Sequence, residues 1–177
     1  MHNNHTLYLT PATFADYAFI NEVFEATLPL YKDVMPGSFE ANLENLKRLE
    51  ERGLDFSATG LKGYLLETDT ARIGFAAVGP LSPRLAYLSS MYILPAYQRQ
   101  GYGLETMKQL EAYYKSLAFQ ELCLLVHTKA PWARDFYKKA GYRVQADQPH
   151  SIVTYAGESI RHLIEPGLML MSKSLRK

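Results

Sequence analysis

The sequence predicts a mixed α/β domain whose central sheet is mostly antiparallel and is flanked by helices. Its 177 residues suit a single domain that spans positions 1–177. Apolar residues recur at helical spacing in some segments and form short strand-like runs in others. These segments follow the order strand, two helices, three strands, helix, strand, helix and two or more strands. Such an order indicates helices packed on one mixed sheet.

The N-terminal segment predicts one strand and one helix. Residues 7–9 suit a short strand. A helix is then predicted over residues 14–26, because Thr13 is a suitable N-cap and Asp16 follows it by three positions. The approximate apolar stripe of this helix comprises Phe14, Ala18, Val23 and Phe24.

A loop and a second helix are predicted next. Two prolines make residues 28–37 a loop. The second helix begins after Ser38 and ends at Gly53, which fits the position past a helix C-cap. Its apolar residues recur at helical spacing, namely Phe39, Leu43, Leu46 and Leu49.

The middle of the chain predicts antiparallel strands. Residues 61–67 and 71–78 flank a short polar turn at 68–70, as in a hairpin. A longer strand covers residues 85–94 and is stopped by Pro95.

Two helices and a strand follow. The first helix spans residues 101–117, and its predicted inward side chains are Leu104, Met107, Leu110, Tyr114 and Leu117. Residues 121–127 form an apolar strand. The second helix spans residues 131–140 and stops at Gly141. One face of it carries Ala133, Phe136, Tyr137 and Ala140.

The C-terminal part returns to strands. Residues 142–144 and 168–174 are predicted as strands. The segment 150–166 is ambiguous, and a hairpin around residues 156–158 is one interpretation of it.

Composition excludes several classes of protein. A net charge of +1 argues against a nucleic-acid binder. Cys123 is the only cysteine, so no internal disulfide forms, and it is predicted to be a buried core thiol. No apolar run approaches the ~20 residues of a membrane helix, and residues 1–5 lack the apolar segment of a signal peptide. We therefore predict a cytoplasmic protein without membrane contact. No His, Cys or carboxylate cluster has metal-ligand spacing, so no metal is predicted.

The most informative segment is 91–104, where a strand, a tight loop with two glycines and a helix follow one another. Backbone N–H groups at a helix start are unsatisfied and carry partial positive charge, which suits a phosphate. Gly101 and Gly103 let the backbone approach a ligand closely, and Arg99 adds a charge. The dinucleotide-binding fingerprint needs a third glycine where this chain has Thr106, and no P-loop lysine is present.

Two motifs in this order resemble the GNAT superfamily of acetyltransferases. Gln98-x-x-Gly101-x-Gly103 is similar to its Gln/Arg-x-x-Gly-x-Gly/Ala signature. The run 133–142, with Phe136 and Tyr137 before a glycine and an aromatic residue, resembles its second motif. The resemblance covers about residues 73–144. It implies the GNAT-like fold and acetyl-CoA as cosubstrate. One departure is Ala130, where similar proteins often carry asparagine.

The resemblance implies that the coenzyme A diphosphate rests on the loop amides, and that the pantetheine arm pairs with backbone near Met91 and Ile93. The arm would lie between that strand and the one at 122–126. The implied cofactor-binding residues are Met91, Tyr92, Ile93, Gln98, Arg99, Gln100, Gly101, Tyr102, Gly103, Leu104, Ala133, Phe136 and Tyr137. The reaction implied is direct attack of an amine on the thioester through a tetrahedral intermediate.

The resemblance assigns Tyr137 as the proton donor to the leaving thiolate; spacing alone favours packing for this side chain. A phenol with its reference pKa near ~10 stays protonated at neutral pH. Backbone N–H groups near Met91 would stabilise the oxyanion. No base stands out, so a water relay through Ser90, Ser89 or Tyr87 is predicted. Other candidates for the base are Glu25, Asp33 and His127, each better explained as a surface or structural residue.

The predicted activity is transfer of an acetyl group to a primary amine of a small molecule or peptide. Two alternatives stay open at this point: a non-catalytic acyl-CoA-binding regulatory or sensor domain, and an anion-binding domain that does not bind coenzyme A. Since many similar proteins are dimers, a homodimer is compatible with the resemblance.

Overall fold

The structure is a computed structural model that describes residues 6–32, 34, 44, 51 and 60–176, with only the backbone of Leu28. The predicted second helix, between Ser38 and Gly53, lies outside the described residues except at positions 44 and 51. The candidate base Asp33 also lies outside them.

Seven strands in the described residues form one mixed sheet with the order β1-β2-β3-β4-β5-β7-β6. Their bounds are β1 Leu7–Pro11, β2 Lys62–Thr68, β3 Arg72–Pro80, β4 Leu85–Ile93, β5 Glu121–His127, β6 Arg143–Ala146 and β7 Leu168–Ser174. The pairs β1–β2, β5–β7 and β6–β7 are antiparallel, whereas β4 and β5 are parallel. The predicted mixed, mostly antiparallel sheet is confirmed.

The described helices are α1 Tyr17–Thr27, α2 Tyr102–Ser116, α3 Pro131–Lys139 and α4 Pro149–Ala156. Short 3₁₀ turns cover Phe14–Asp16, Leu28–Tyr31, Pro95–Tyr97 and Glu158–Leu163. The hairpin considered around residues 156–158 is wrong, because α4 and a 3₁₀ turn occupy that segment. Pro149 lies in the first turn of α4, and burial of Ile152 and Ala156 at i, i+4 favours the helix over the strand that β-branched residues prefer locally.

The chain divides into two compact units, one comprising the described residues up to Ala77 together with Ser90–Gln109, and the other comprising Val78–Ser89 and Leu110 onwards. The core of the first unit includes a cluster of Ile20, Val23, Phe24, Leu65, Phe75 and Ala77. The core of the second includes a cluster of Leu85, Tyr87, Cys123, Ala146, Ile152, Ala156, Ile160 and Leu170. Burial raises the pKa of Cys123 to about 12, so it is the predicted inert core thiol.

Two predicted apolar faces need correction. Phe14 and Ala18 are exposed, and α1 instead buries Ile20, Val23, Phe24 and Thr27. In α2, Leu104 is 38% and Leu117 49% exposed. The buried side chains of α2 are Tyr102, Thr106, Met107, Leu110 and Tyr114. The faces differ because Leu104 lies in the first turn of the helix and Leu117 lies beyond its end.

The start of the first helical segment has the predicted capping residues. Asp16 accepts hydrogen bonds from the backbone N–H and the hydroxyl of Thr13, at 2.8 and 2.9 Å. Its other carboxylate oxygen lies 2.9 Å from the Arg72 guanidinium. Burial acts to raise the pKa of Asp16, but the bonds from Thr13 and the charge of Arg72 outweigh it and hold that pKa below its usual value.

Replacing Asp16 by asparagine is expected to lower the free energy of unfolding at pH 7 by about 1–2 kcal/mol. Because the folded pKa of Asp16 is depressed, its stabilisation is present above the unfolded pKa of about 3.9 and is lost as the pH falls through the folded value. The difference between wild type and Asp16→Asn in urea unfolding should therefore shrink towards pH 3. Asp135→Asn removes an exposed carboxylate and is the control; a gap that persists undiminished in acid would contradict the assignment.

Candidate functional site

The C-terminal end of β4 is fixed to β3 and then turned sharply. Leu94 donates its N–H to the carbonyl of Ile73 at 2.9 Å. Pro95 follows, and the chain makes a 3₁₀ turn over Pro95–Tyr97, closed by a 2.9 Å bond from the Tyr97 N–H to the Leu94 carbonyl. Pro95 ends the strand as predicted, because proline cannot donate to a ladder.

Side-chain amides shape the loop that follows. Gln98 donates to the carbonyl of Ile93 at 2.8 Å, and Gln100 donates to the carbonyl of Ala96 at 2.8 Å. Arg99 and Gly101 adopt left-handed backbone conformations, with φ of 60° and 91°. A residue other than glycine seldom adopts this conformation, and such strain concentrates at functional sites. Both glutamines therefore hold the loop in an unusual shape.

This shape leaves a row of backbone donors unsatisfied. Helix α2 begins at Tyr102. Its first i→i−4 hydrogen bond runs from the Glu105 N–H to the Gly101 carbonyl, at 3.1 Å. Within the part of the chain that the structure describes, no acceptor is hydrogen bonded to the backbone N–H groups of residues 99–104. We call these six N–H groups the amide cradle. Together with the helix dipole they favour an anion.

Alternate residues at the end of β4 face away from β3. The bond from Leu94 to Ile73 directs the backbone groups of Leu94 towards β3, and strand alternation directs those of Tyr92 the same way. Met91 and Ile93 therefore present their backbone groups on the opposite side. The parallel ladder joins only residues 85–88 of β4 to residues 121–124 of β5, so Met91 and Ile93 lie beyond it.

Gly74 of β3 permits the close approach of Tyr92. A Cβ atom at Gly74 would lie 2.2 Å from the Tyr92 carbonyl oxygen and 3.1 Å from Ile93 Cα. Both contacts are with backbone, which cannot rotate away as a side chain can. Glycine at this position thus sets how closely the end of β4 packs on β3.

Gly74→Ala is expected to lower the free energy of unfolding by about 1–3 kcal/mol, since the added methyl group must displace the backbone of β4. Because the displaced strand leads into the amide cradle, ligand binding there should weaken as well. Thermal unfolding and ligand titration would check both effects. A variant with wild-type stability would show that this contact between the strands is not tight.

The side chains near the end of β4 differ in burial. The Tyr92 ring packs on Phe24 and Tyr31, with centroids 5.0 and 6.2 Å apart, and burial raises its pKa. Ser89 is exposed, and Ser90 is half-buried. The Tyr87 side chain is part of the second unit's core.

Two other candidate bases have ordinary structural explanations. Glu25 is exposed and accepts a 2.9 Å hydrogen bond from Asn21. His127 is buried; its Nδ1 accepts from the Lys129 N–H at 3.0 Å, and its Nε2 lies 3.1 Å from the Pro166 carbonyl. These partners require a proton on Nε2 and none on Nδ1. His127 is thus a satisfied structural histidine.

Helix α3 ends in a Schellman motif that holds Tyr137. Gly141, at φ of 93°, donates to the Lys138 carbonyl at 3.0 Å, and Tyr142 donates to the Tyr137 carbonyl at 3.0 Å. The rings of Tyr137 and Tyr142 lie 5.9 Å apart, which is the apolar contact that accompanies this motif. The motif therefore explains the glycine and aromatic residue that follow Tyr137.

Outside the predicted face, every residue of α3 except Arg134 is exposed. Ala133, Phe136, Tyr137 and the capping residue Ala140 are half-buried, and the rings of Phe136 and Tyr137 are 5.0 Å apart. Ala130 is buried at the N-cap and makes no side-chain cap, as an alanine cannot.

Within the described residues, His, Cys, Asp and Glu side chains form no group of three or more that could hold a metal ion. None of the described helices has both the length and the apolar character needed to cross a bilayer.

Comparison with known proteins decides the family. The model of the acetyltransferase (GNAT) family matches residues 22–142, which is more than half of the chain. The chain belongs to the GNAT acetyltransferase family. The resemblance of its two motifs is thereby confirmed. No curated protein matches the sequence significantly.

Solved structures share the GNAT fold at low identity. An acetyltransferase from Thermus thermophilus is 22% identical with a TM-score of 0.69, and 98% of this chain and 99% of that one are covered. The PaiA N-acetyltransferase of Thermoplasma acidophilum, in complex with coenzyme A, is 17% identical with a TM-score of 0.71 over 96% and 99%. Spermidine N-acetyltransferase from Vibrio cholerae, in complex with coenzyme A and spermine, is 16% identical with a TM-score of 0.65 over 96% and 95%.

Some residues that shape the candidate site were not identified from the sequence. Gly74 lies inside a predicted strand, and a glycine there signals close backbone approach. Lys173 bonds both to Glu111 and to Ala140 at the end of α3. Lys173 lies in an apolar strand and Glu111 on a helix, far from each other in the sequence. A lysine within the run Leu-Met-Leu-Met-Ser-Lys-Ser was the one local signal of a partner.

Proposed function

We propose that the protein transfers the acetyl group of acetyl-CoA to a primary amine of a small molecule or peptide. The observation that carries this proposal is the amide cradle, in which six successive backbone N–H groups at the start of α2 lack an acceptor within the described residues. A diphosphate fits such a cradle, because it offers several anionic oxygens to converging donors. Family membership supports the same cosubstrate.

The geometry of each segment supports a set of proposed contacts with acetyl-CoA. The cradle residues Gln100, Gly101, Tyr102, Gly103 and Leu104 would bind the diphosphate through their N–H groups, and the Arg99 side chain would add a charge-assisted contact. Since the Gln98 side chain is bonded to the Ile93 carbonyl, its proposed role is to hold the loop.

The outward backbone groups of Met91 and Ile93 would pair with the amides of the pantetheine arm as a further strand would. Tyr92 lies between them and fixes the strand through its packed ring. Ala133, Phe136 and Tyr137 on α3 complete the proposed set.

The proposed chemistry assigns one step to each group. The amine nitrogen attacks the thioester carbonyl carbon, and backbone N–H groups near Met91 stabilise the negative charge that develops on its oxygen. A water held by the half-buried Ser90 takes the proton that the amine loses. The C–S bond then breaks, and Tyr137 donates its phenolic proton to the departing sulfur. A proton from solvent, to which the amine's proton has been released, then restores the phenol of Tyr137.

A small-molecule acceptor is supported by the relatives. Three of the similar structures are of spermidine N-acetyltransferases, and one of them is in complex with coenzyme A and spermine. We also propose that residues 1–177 act as a single GNAT domain, since β3 and β4 each contribute residues to both compact units.

A second candidate function, an acyl-CoA-binding sensor without catalysis, is favoured by one observation. The five residues at the end of β4, positions 89–93, include no carboxylate, and the described alternative Glu25 is an exposed side chain bonded to Asn21. A sensor would need the cradle but no base.

Turnover measurements separate these candidates. The purified protein is incubated with acetyl-CoA and a panel of primary amines that includes spermidine, and free thiol and acetylated amine are both quantified. Equal amounts of the two products are expected. If calorimetry shows that coenzyme A binds but no product forms, the sensor is favoured. If coenzyme A does not bind, the cradle is a site for a different anion and the proposed function is wrong.

A further inference from the structure

A half-buried ion pair lies against the end of α3. The Lys173 ammonium donates to the Glu111 carboxylate at 2.6 Å and to the Ala140 carbonyl at 2.8 Å. The Glu111 side chain is 13% exposed and that of Lys173 is 31% exposed. Ala140 is the C-cap of α3, so the ammonium satisfies a carbonyl at the negative end of the helix dipole.

The lysine side chain also crosses the turn that follows α3. A Cβ atom on Gly141 would lie 3.3 Å from Lys173 Cε, and the ammonium lies 5.9 Å from the centre of the Tyr142 ring. One side chain of β7 therefore lies against the last three residues of the Schellman motif, Ala140, Gly141 and Tyr142.

Glu111 extends these contacts to the phenol of Tyr142. Burial, and the Glu111 carboxylate beside it, raise the pKa of Tyr142, so its hydroxyl stays protonated. The Tyr142 hydroxyl and the second Glu111 oxygen are both buried, and neither has a hydrogen-bond partner among the described residues. In such a buried setting the carboxylate and the phenol still interact electrostatically.

We propose that Lys173 is a positioning residue for Tyr137, acting with Glu111 through Ala140 and Tyr142. This inference rests on the proposed function, in which Tyr137 is the proton donor. Tyr142 holds Tyr137 through a backbone hydrogen bond and a ring contact, and Lys173 holds the segment that carries Tyr142. Small displacements of a catalytic group reduce the rate steeply, so anchoring this turn matters for the chemical step.

Hydrogen exchange tests the anchoring without relying on turnover. In Lys173→Met, the amides of Gly141 and Tyr142 should exchange about tenfold faster than in the wild type, because the bonds of the motif open more often. The amide of Leu124 in β5 reports global unfolding, and Lys115→Met, which removes an exposed lysine on α2, is the matched control. Unchanged protection of Gly141 and Tyr142 in Lys173→Met would overturn the inference.

Kinetics test the link to Tyr137. Lys173→Met should lower kcat about tenfold with little change in KM for acetyl-CoA, and Lys173→Arg should restore most of it. In a Tyr137→Phe background, Lys173→Met should cause no further loss of kcat. If Lys173→Met lowered kcat tenfold in the Tyr137→Phe background as well, Lys173 would not act through Tyr137.

A paired variant guards against misfolding. Lys173→Met leaves the Glu111 carboxylate unpaired, which destabilises the fold. Glu111→Gln/Lys173→Met removes both charges and should show the same loss of kcat; wild-type kcat in this variant would overturn the inference. Absence of turnover in the wild type would sink the proposed function instead, and the exchange measurement would then still decide whether Lys173 anchors the turn.

Discussion

Gly103→Glu is expected to lower the affinity for coenzyme A at least about 100-fold. Gly103 is the second residue of α2, within the amide cradle. A glutamate there places a negative charge where the diphosphate is proposed to bind, and like charges in contact cost several kcal/mol, of which every 1.4 kcal/mol is about tenfold in affinity. Isothermal titration calorimetry with coenzyme A measures the loss directly.

The same substitution should leave the fold intact. Glutamate is a better helix former than glycine by about 0.5–1 kcal/mol, and an acidic residue in the first turn of a helix is favourable. The melting temperature should therefore stay the same or rise. Ala112→Glu adds the same charge at an exposed position about two and a half turns further along α2 and should bind coenzyme A normally. Normal binding by Gly103→Glu would refute the diphosphate assignment.

Tyr137→Phe is expected to lower kcat about 100-fold or more, since removing a positioned general acid typically costs two to four orders of magnitude. The ring is retained, so its contacts with Phe136 and Tyr142 persist and the affinity for coenzyme A should change less than about twofold. Steady-state kinetics with acetyl-CoA and a reactive amine give kcat, and calorimetry gives the affinity.

Tyr113→Phe is the matched control for this variant. Tyr113 is 38% exposed on α2, and the substitution likewise removes one phenolic hydroxyl. Its kcat should equal that of the wild type. If Tyr137→Phe also turned over at the wild-type rate, Tyr137 would be a packing residue only, as its half-buried position on α3 alone would suggest.

Local backbone chemistry made the candidate cradle predictable from the sequence. Pro95 ends β4 because proline has no N–H to donate to the ladder of a sheet. Gly101 adopts a φ of 91°, a conformation that favours glycine. Gly141 likewise adopts a φ of 93° at the end of α3. Because these requirements belong to single residues and their neighbours, a strand-loop-helix order could be inferred without knowing the rest of the fold.

Contacts between distant segments were not predictable in the same way. The 3.0 Å bond from Tyr142 to Tyr137 follows from a local motif, but the approach of Lys173 to Ala140 depends on how β7 and α3 pack. The left-handed Arg99 was likewise hidden, since arginine rarely adopts that conformation. The segment 150–166 was ambiguous in the sequence, because the β-branched residues around Ile152 favour a strand locally while burial of Ile152 favours a helix.

The most direct test of the amide cradle is a titration of the ¹⁵N-labelled protein followed by amide resonances. With coenzyme A, the N–H signals of Gly101, Tyr102, Gly103 and Leu104 should move downfield together, as expected when each donates to a phosphate oxygen. Pantetheine, which lacks the diphosphate, should leave these four signals in place. If coenzyme A bound while the same four amides stayed unperturbed, the diphosphate would lie elsewhere and the account of the site would be wrong.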